Sequence, residues 1–178
     1  MALIVTPGAS DAESYASIAE INAYAVKHGA SFPITGDDGP ATAAAIAAAE
    51  AAARRATAWL DNEYGPRFIG EPASSSQALE WPRANAWFRC EELPDDTIPQ
   101  KIRDATAEAA IRELAAPGSL APDVSISGVA KRRRVGDVET EFAGHSGSSQ
   151  AKPSFSVIDG HLNGLLKSVS DMAWMLLV

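Results

Sequence analysis

Apolar residues recur at helical spacing in three stretches of this sequence, residues 17–29, 40–64 and 97–117. The first stretch opens with Ser17 and Glu20 at the spacing of a capping box, and Gly29 follows its last turn. The second is rich in alanine, whose small side chain favours a helix but buries little apolar area. The pattern predicts a mainly α fold built on a small bundle of closely packed helices.

The pattern changes after Pro122. Residues 125–135 and 138–142 read as two strands, and the Gly136-Asp137 pair between them is typical of a two-residue hairpin turn. A Gly/Ser linker follows, then a weakly amphipathic helix within residues 155–167 and an apolar tail. We therefore expect a helical-bundle core at residues 1–121, with an irregular loop at 66–97. A β-hairpin, a linker and an extended C-terminal docking arm should follow at residues 122–178.

The irregular loop carries Trp81 and Trp87 in a stretch that Pro82 and Pro94 interrupt. Tryptophan is costly to leave in water, so the loop should lie against a neighbouring helix or a partner chain. Stacking of these rings on nucleic-acid bases is the less favoured alternative. Proteins that bind single strands combine their aromatic residues with a basic groove, whereas acidic residues surround these tryptophans.

The basic run Lys131–Arg134 is the obvious candidate for contact with nucleic acid. With a two-residue turn, Arg132 faces Glu141 and Arg134 faces Glu139 across the predicted hairpin. Such pairs of opposite charge contribute roughly 0.2–1 kcal/mol each. The run is therefore better explained as a paired strand, and contact of Lys131, Arg132, Arg133 and Arg134 with DNA or an acidic partner is the alternative.

Charge and composition narrow the function. The net charge is −8, which argues against wholesale wrapping of DNA or RNA. The scattered His28, His145 and His161 lack the spacing of metal ligands, and Cys90 is the only cysteine. The sequence contains no recognisable catalytic motif, signal peptide or membrane-spanning stretch. We expect a protein of cytoplasm-like conditions that is not an enzyme and uses no metal or cofactor.

Several short motifs together resemble a known family. They are Ser14-Tyr15, Ala23-Tyr24, residues 55–61 with Tyr64, Arg67-Phe68-x-Gly70, residues 77–83, and Ile98-Pro99 before residues 105–108. The chain resembles the head–tail adaptor proteins of tailed phages, many of which are labelled DnaT-like single-stranded-DNA-binding proteins. The resemblance covers most of residues 1–167, and its most specific part is residues 77–83 with Ile98-Pro99.

The resemblance implies a structural virion protein of the neck, assembled in the cytoplasm of a bacterial host. A ring of copies, commonly twelve, would join the portal protein to a stopper or tail protein, and DNA would pass through its channel without specific binding. The implied portal or subunit interface consists of Trp81, Arg83, Trp87, Phe155, Leu162, Leu165, Leu166, Trp174, Leu176 and Leu177. The alternative is a single-stranded-DNA-binding replication accessory protein, whose basic run and tryptophans would form one continuous surface.

Overall fold

The computed structural model describes residues 3–33, 42–122, 132–135, 138–141 and 154–167. These residues include the four α-helices α1 (Ile18–Lys27), α2 (Ala43–Tyr64), α3 (Gln100–Ala115) and α4 (Ser156–Leu162). The chain divides into two compact units. The first comprises residues 1–120 and 155–178, and the second comprises residues 121–154. The predicted fold class, mainly α with a small hairpin, is confirmed.

The local signals at the ends of α1 act as predicted. Ser17 Oγ accepts a hydrogen bond from the backbone N of Glu20 at 3.3 Å, and the Glu20 carboxylate accepts one from the backbone N of Ser17 at 2.8 Å. Gly29 has a φ of +72°, a left-handed conformation that a glycine adopts without strain. The capping box and the glycine stop are therefore confirmed.

The long helix α2 begins at Ala43, where Thr42 Oγ1 accepts a hydrogen bond from the backbone N of Ala45 at 3.2 Å. The predicted start at Pro40 lies outside the described residues. The helix ends at Tyr64 and continues into a 3₁₀ turn at Gly65–Arg67.

The core forms around α3, which packs against α1, α2 and α4. The face of α2 toward this core is largely alanine, as the sequence predicted, and its buried residues are Ala49, Ala52, Ala53, Ala56, Thr57, Leu60 and Tyr64. Small side chains let the two longest helices approach closely. The inward positions Ile102, Ala105 and Ala109 of α3 are buried as expected, whereas Leu114 is half-buried.

The loop between α2 and α3 contains two short antiparallel ladders. Strand β1 (Glu71–Pro72) pairs with β2 (Arg83–Ala84), and β3 (Trp87–Phe88) pairs with β4 (Glu91–Glu92). The two-residue turn between β3 and β4 has positive φ angles of 53° at Arg89 and 65° at Cys90. Two successive positive φ angles are typical of a type I′ hairpin turn, which matches the twist of the strands.

The segment after residue 154 lies with the helical unit. Ile158 and Leu162 of α4 are buried, as is Leu165. The backbone N of Ile69 donates to the carbonyl oxygen of Leu165 at 3.0 Å, and that of Lys167 donates to the carbonyl oxygen of Arg67 at 2.7 Å. The described residues 154–167 therefore complete the core, whereas the sequence pattern predicted a docking arm there.

In the other unit, β5 (Arg132–Val135) and β6 (Val138–Glu141) pair antiparallel. Arg132 lies opposite Glu141 and Arg134 opposite Glu139, which confirms the predicted register. Lys131 and the Gly136-Asp137 turn lie outside the described residues.

Candidate nucleic-acid interface

Four of the predicted interface residues, Trp81, Arg83, Leu162 and Leu165, are buried within the chain itself. The Trp81 side chain is 1% exposed and meets the ring of Phe68 edge to face, with 5.7 Å between the ring centroids. Its backbone N donates a hydrogen bond to the Tyr15 hydroxyl at 3.2 Å. The helices of the same chain bury the first half of the tryptophan loop, so these four side chains are not available to a partner.

The Arg83 guanidinium is used within the loop. It donates to the carbonyl oxygens of Ile69 and Gly70 at 2.9 and 3.0 Å, and to the Glu80 carboxylate at 2.6 Å. A guanidinium presents several donors in a rigid plane, so one buried side chain satisfies several backbone carbonyls at once. Arg83 therefore holds the loop closed.

A half-buried carboxylate ties this half of the loop to α2. Asp61 accepts hydrogen bonds from the Tyr15 hydroxyl and, at 3.3 Å, from the backbone N of Glu80. Burial raises the pKa of Asp61 to about 6, although both hydrogen bonds oppose that rise. Burial also raises the pKa of Tyr15, and the neighbouring Asp61 charge adds to this shift. No local sequence pattern predicted this contact of Asp61 with Tyr15 and Glu80, because the three residues lie far apart in the chain.

Two further predicted interface residues lie at the edge of the helical core. Phe155 is half-buried and meets Trp59 edge to face at 5.3 Å between ring centroids, with the Arg112 guanidinium carbon 5.8 Å from its ring. Leu166 is half-buried and forms a β-bridge with Phe68. The remaining three, Trp174, Leu176 and Leu177, lie outside the described residues.

Trp87 differs from these residues because its side chain is 58% exposed. It lies on β3, where its cross-strand partner is Glu92, whereas the neighbouring Phe88 pairs with Glu91. Side chains of directly opposite residues share one face of a ladder, and successive residues alternate between faces. The hairpin therefore has one face with Trp87 and Glu92 and another with Phe88 and Glu91.

The Phe88 face fixes the hairpin on the helical core and carries two cations. Lys101 Nζ lies 4.8 Å and the Arg89 guanidinium carbon 5.1 Å from the centre of the Phe88 ring, both within cation–π range. Lys101 Nζ also donates to the carbonyl oxygen of Asn163 at 2.7 Å. A Cβ on Gly164 would come within 2.6 Å of Phe88 Cε2, so the ring lies directly against this glycine.

We call Trp87, Phe88, Arg89 and Lys101 the hairpin site. Its exposed indole can stack on a flat ring, and its two cations can pair with phosphates. Within the described part of the chain, Arg89 forms no ion pair with a carboxylate. The sequence pattern singled out Trp87 but neither Arg89 nor Lys101. The two-residue spacing between Trp87-Phe88 and Glu91-Glu92 was the available signal for this hairpin.

The basic strand β5 belongs to the other unit, and the structure describes it by its backbone register. A continuous surface of the basic run with the tryptophans stays a prediction. Among the described residues, histidine, cysteine and acidic side chains form no group of three that could hold a metal ion. No helix in the same residues is long and apolar enough to cross a membrane.

A protein-family model matches residues 1–177, and its description is "Putative DnaT-like ssDNA binding protein". Neither the curated proteins nor the solved structures contain a match to this chain. The family match contradicts our main functional prediction, a virion head–tail connector in the neck, and favours the alternative. The connector prediction gave most weight to the phage resemblance and to the acidic net charge, which argued against extensive DNA binding.

Proposed function

Since the chain belongs to the family of DnaT-like single-stranded-DNA-binding proteins, we propose that it binds single-stranded DNA through the hairpin site. The activity is binding without chemistry and needs no cofactor. The exposed indole of Trp87, on the same hairpin as the cations over Phe88, is the observation that carries this proposal.

Trp87 supplies a stacking surface for a base. Every base has a π face, so stacking on an indole tolerates any sequence, and it contributes roughly 1–3 kcal/mol per base. Among the described residues, the exposed large hydrophobic side chains are Val26, Trp87 and Val157. Trp87 is the aromatic member of this group and therefore the natural contact for an unpaired base.

Arg89 and Lys101 supply positive charge for the DNA backbone. Both lie on the ring of Phe88, which packs against Gly164 and the core, so these contacts order the two cations before DNA binds. Preorganised side chains lose less entropy on binding. The net charge of −8 limits the general attraction to phosphates, so binding should depend on these local contacts and weaken steeply with salt.

The basic strand β5 is a second candidate contact from the sequence. In its ladder, Arg132 and Arg134 lie opposite glutamates and Arg133 lies opposite Thr140. Self-association of the chain, which the sequence also predicted, stays a prediction.

The proposal is tested by fluorescence-anisotropy titration of a labelled thymidine oligonucleotide of about 20 nucleotides, long enough for one binding site. Trp87→Ala should weaken binding about tenfold, since 1.4 kcal/mol corresponds to a factor of ten. Arg89→Gln should lower the slope of log K against log salt concentration by about 0.7, the value for one lost phosphate contact on a single strand.

Val26→Ala is the matched control, because it shortens another exposed apolar side chain, on α1 and away from the hairpin site. It should leave both the affinity and the salt slope unchanged. Absence of binding even at low salt, or equal affinity of the Trp87→Ala variant and the unmodified protein, would overturn the proposal.

A further inference from the structure

A cleft with a volume of about 400 Å³ adjoins the hairpin site. Its lining residues are Ala84, Asn85, Glu92, Leu93, Pro94 and Asp95. Glu92 is the cross-strand partner of Trp87, so one wall of the cleft lies beside the exposed indole. The volume falls within the range of small-molecule sites and is ample for a nucleobase.

The cleft combines a fixed apolar part with unused polar side chains. The backbone N of Leu93 donates to the carbonyl oxygen of Ala86 at 2.8 Å, and the Leu93 side chain packs on the core. The side chains of Asn85, Glu92 and Asp95 form no hydrogen bond or ion pair with other described residues. Their polar atoms are therefore available to a ligand that lies against Leu93 and Pro94.

Most of the polar side-chain atoms in the cleft are hydrogen-bond acceptors, because an ionised carboxylate accepts hydrogen bonds and donates none. Cytosine presents an amino group at C4, for which aspartate and glutamate are the usual protein partners. Uracil and thymine present a carbonyl oxygen at that position, which a carboxylate repels. The cleft should therefore discriminate between bases by the group at this edge.

We propose that this cleft receives a base next to the one stacked on Trp87 and selects bases that carry an exocyclic amino group, cytosine above uracil or thymine. The inference rests on the proposed binding of single-stranded DNA. Glu92 shares the ladder face of Trp87, whereas Arg89 and Lys101 lie on the ring of Phe88. This separation lets the carboxylates meet a base edge while the cations meet the phosphates.

The test compares deoxycytidine and deoxyuridine homopolymers of about 20 nucleotides, a length that spans one site, in matched salt at a slightly alkaline pH. These two bases differ only at the edge that the cleft is proposed to read. The unmodified protein should bind the cytidine oligonucleotide about fivefold more tightly, a typical effect of one favourable hydrogen bond to a charged group in a partly hydrated site.

Glu92→Gln and Asp95→Asn should each reduce the affinity ratio toward one, because a carboxamide offers both a donor and an acceptor. Glu91→Gln and Asp96→Asn are the matched controls, since each removes the same charge from an exposed neighbour that does not line the cleft. The controls should strengthen binding of both oligonucleotides equally and leave the ratio unchanged.

If neither oligonucleotide binds, the proposed function itself fails. If both bind with equal affinity, single-stranded-DNA binding stands and the selection is overturned. The selection is also overturned if Glu91→Gln lowers the ratio as much as Glu92→Gln, because the effect would then come from general charge. Binding of an arginine-rich peptide that Glu92→Gln abolishes, with a ratio of one, would instead assign the cleft to a basic partner.

Discussion

The two tryptophans of the α2–α3 loop lie only six positions apart and have opposite environments. Trp81 is 1% exposed and packs on Phe68, whereas Trp87 is 58% exposed on a hairpin. The first half of the loop is fixed by the half-buried Asp61 and the buried Arg83, and the second half carries the exposed Trp87. One aromatic-rich loop can therefore supply both a core anchor and an exposed aromatic surface.

The largest expected effect separates these two roles by stability. Trp81→Ala should lower the free energy of unfolding by about 3–5 kcal/mol, because it leaves a large cavity in the core. Trp87→Ala should change it by less than about 0.5 kcal/mol, as is usual for an exposed site. Urea denaturation of both variants measures the difference. Equal losses of stability would show that the two halves of the loop are not distinct.

The second prediction concerns how the exposed half is held on the core. Gly164 has a φ of +86° and lies against the Phe88 ring, whereas Gly118 has a φ of +84° with nothing within 4 Å of the position that a Cβ would occupy. Gly118→Ala should cost about 1–2 kcal/mol of stability from backbone strain alone. Gly164→Ala should cost about 2–4 kcal/mol in total, because it adds a steric clash to that strain.

Whether Gly164 positions the hairpin site is tested by the affinity of the two variants for DNA. Displacement of Phe88 moves Arg89 and Lys101, so Gly164→Ala should weaken oligonucleotide binding under conditions where the variant is fully folded. Gly118→Ala should bind like the unmodified protein. Equal binding by both variants would contradict the idea that the loop after α4 positions the hairpin site.

The smallest expected effect is the pH dependence of the buried half. The pKa of Asp61 rises to about 6 in the folded protein from an ordinary value of 3.8, so the folded state binds this proton more tightly than the unfolded chain. The stabilisation of the folded state by the protonated Asp61 carboxyl is complete at pH values below 3.8, its pKa in the unfolded chain. It is lost as the pH rises through about 6, its pKa in the folded protein. The full loss should be about 3 kcal/mol, of which about 2 kcal/mol falls between pH 4 and pH 7.

Asp61→Asn removes this titration, so the stability of the unmodified protein minus that of the variant should fall between pH 4 and pH 7. Other carboxylates titrate in both proteins and cancel in this difference. Glu91→Gln, on the exposed half of the loop, is the control and should give a nearly flat difference. If the stability difference for Asp61→Asn is also independent of pH, the Asp61 carboxyl of the unmodified protein titrates normally.

The local features of the fold were predictable from short-range patterns. They depend on residues that lie close together in the sequence or on the length of one turn. Examples are the capping box of α1, the glycine stop after it, the buried alanine face of α2 and the register of β5 with β6. Residues 154–167 were interpreted as part of a docking arm, and their packing on the helical core was not predictable in this way. An apolar helix face has the same sequence pattern whether it packs on the core of its own chain or on a partner. Here Ile158 and Leu162 are buried where α4 packs against α3.

The candidate site was only partly predictable. Trp87 was identified as a residue that needs a partner, but its separation from Trp81 depends on which helices lie beneath the loop. Lys101 lies on α3 and Gly164 follows α4, and neither position carries a motif that connects it with Phe88. Contacts between residues so distant in the chain depend on packing that no local pattern encodes.

Local patterns in the amino-acid sequence were enough to predict where α1 and α2 end, the alanine face of α2 and the mainly α fold class, and composition alone shows the acidic balance. Backbone preferences and hydrophobic periodicity act over a few residues, so they can be read directly from the chain. Three features depend instead on long-range packing: which tryptophan is buried, the completion of the core by α4, and the position of Phe88 between two cations and a glycine. Burial is a property of what surrounds a residue, and the residues that surround these side chains come from distant parts of the chain.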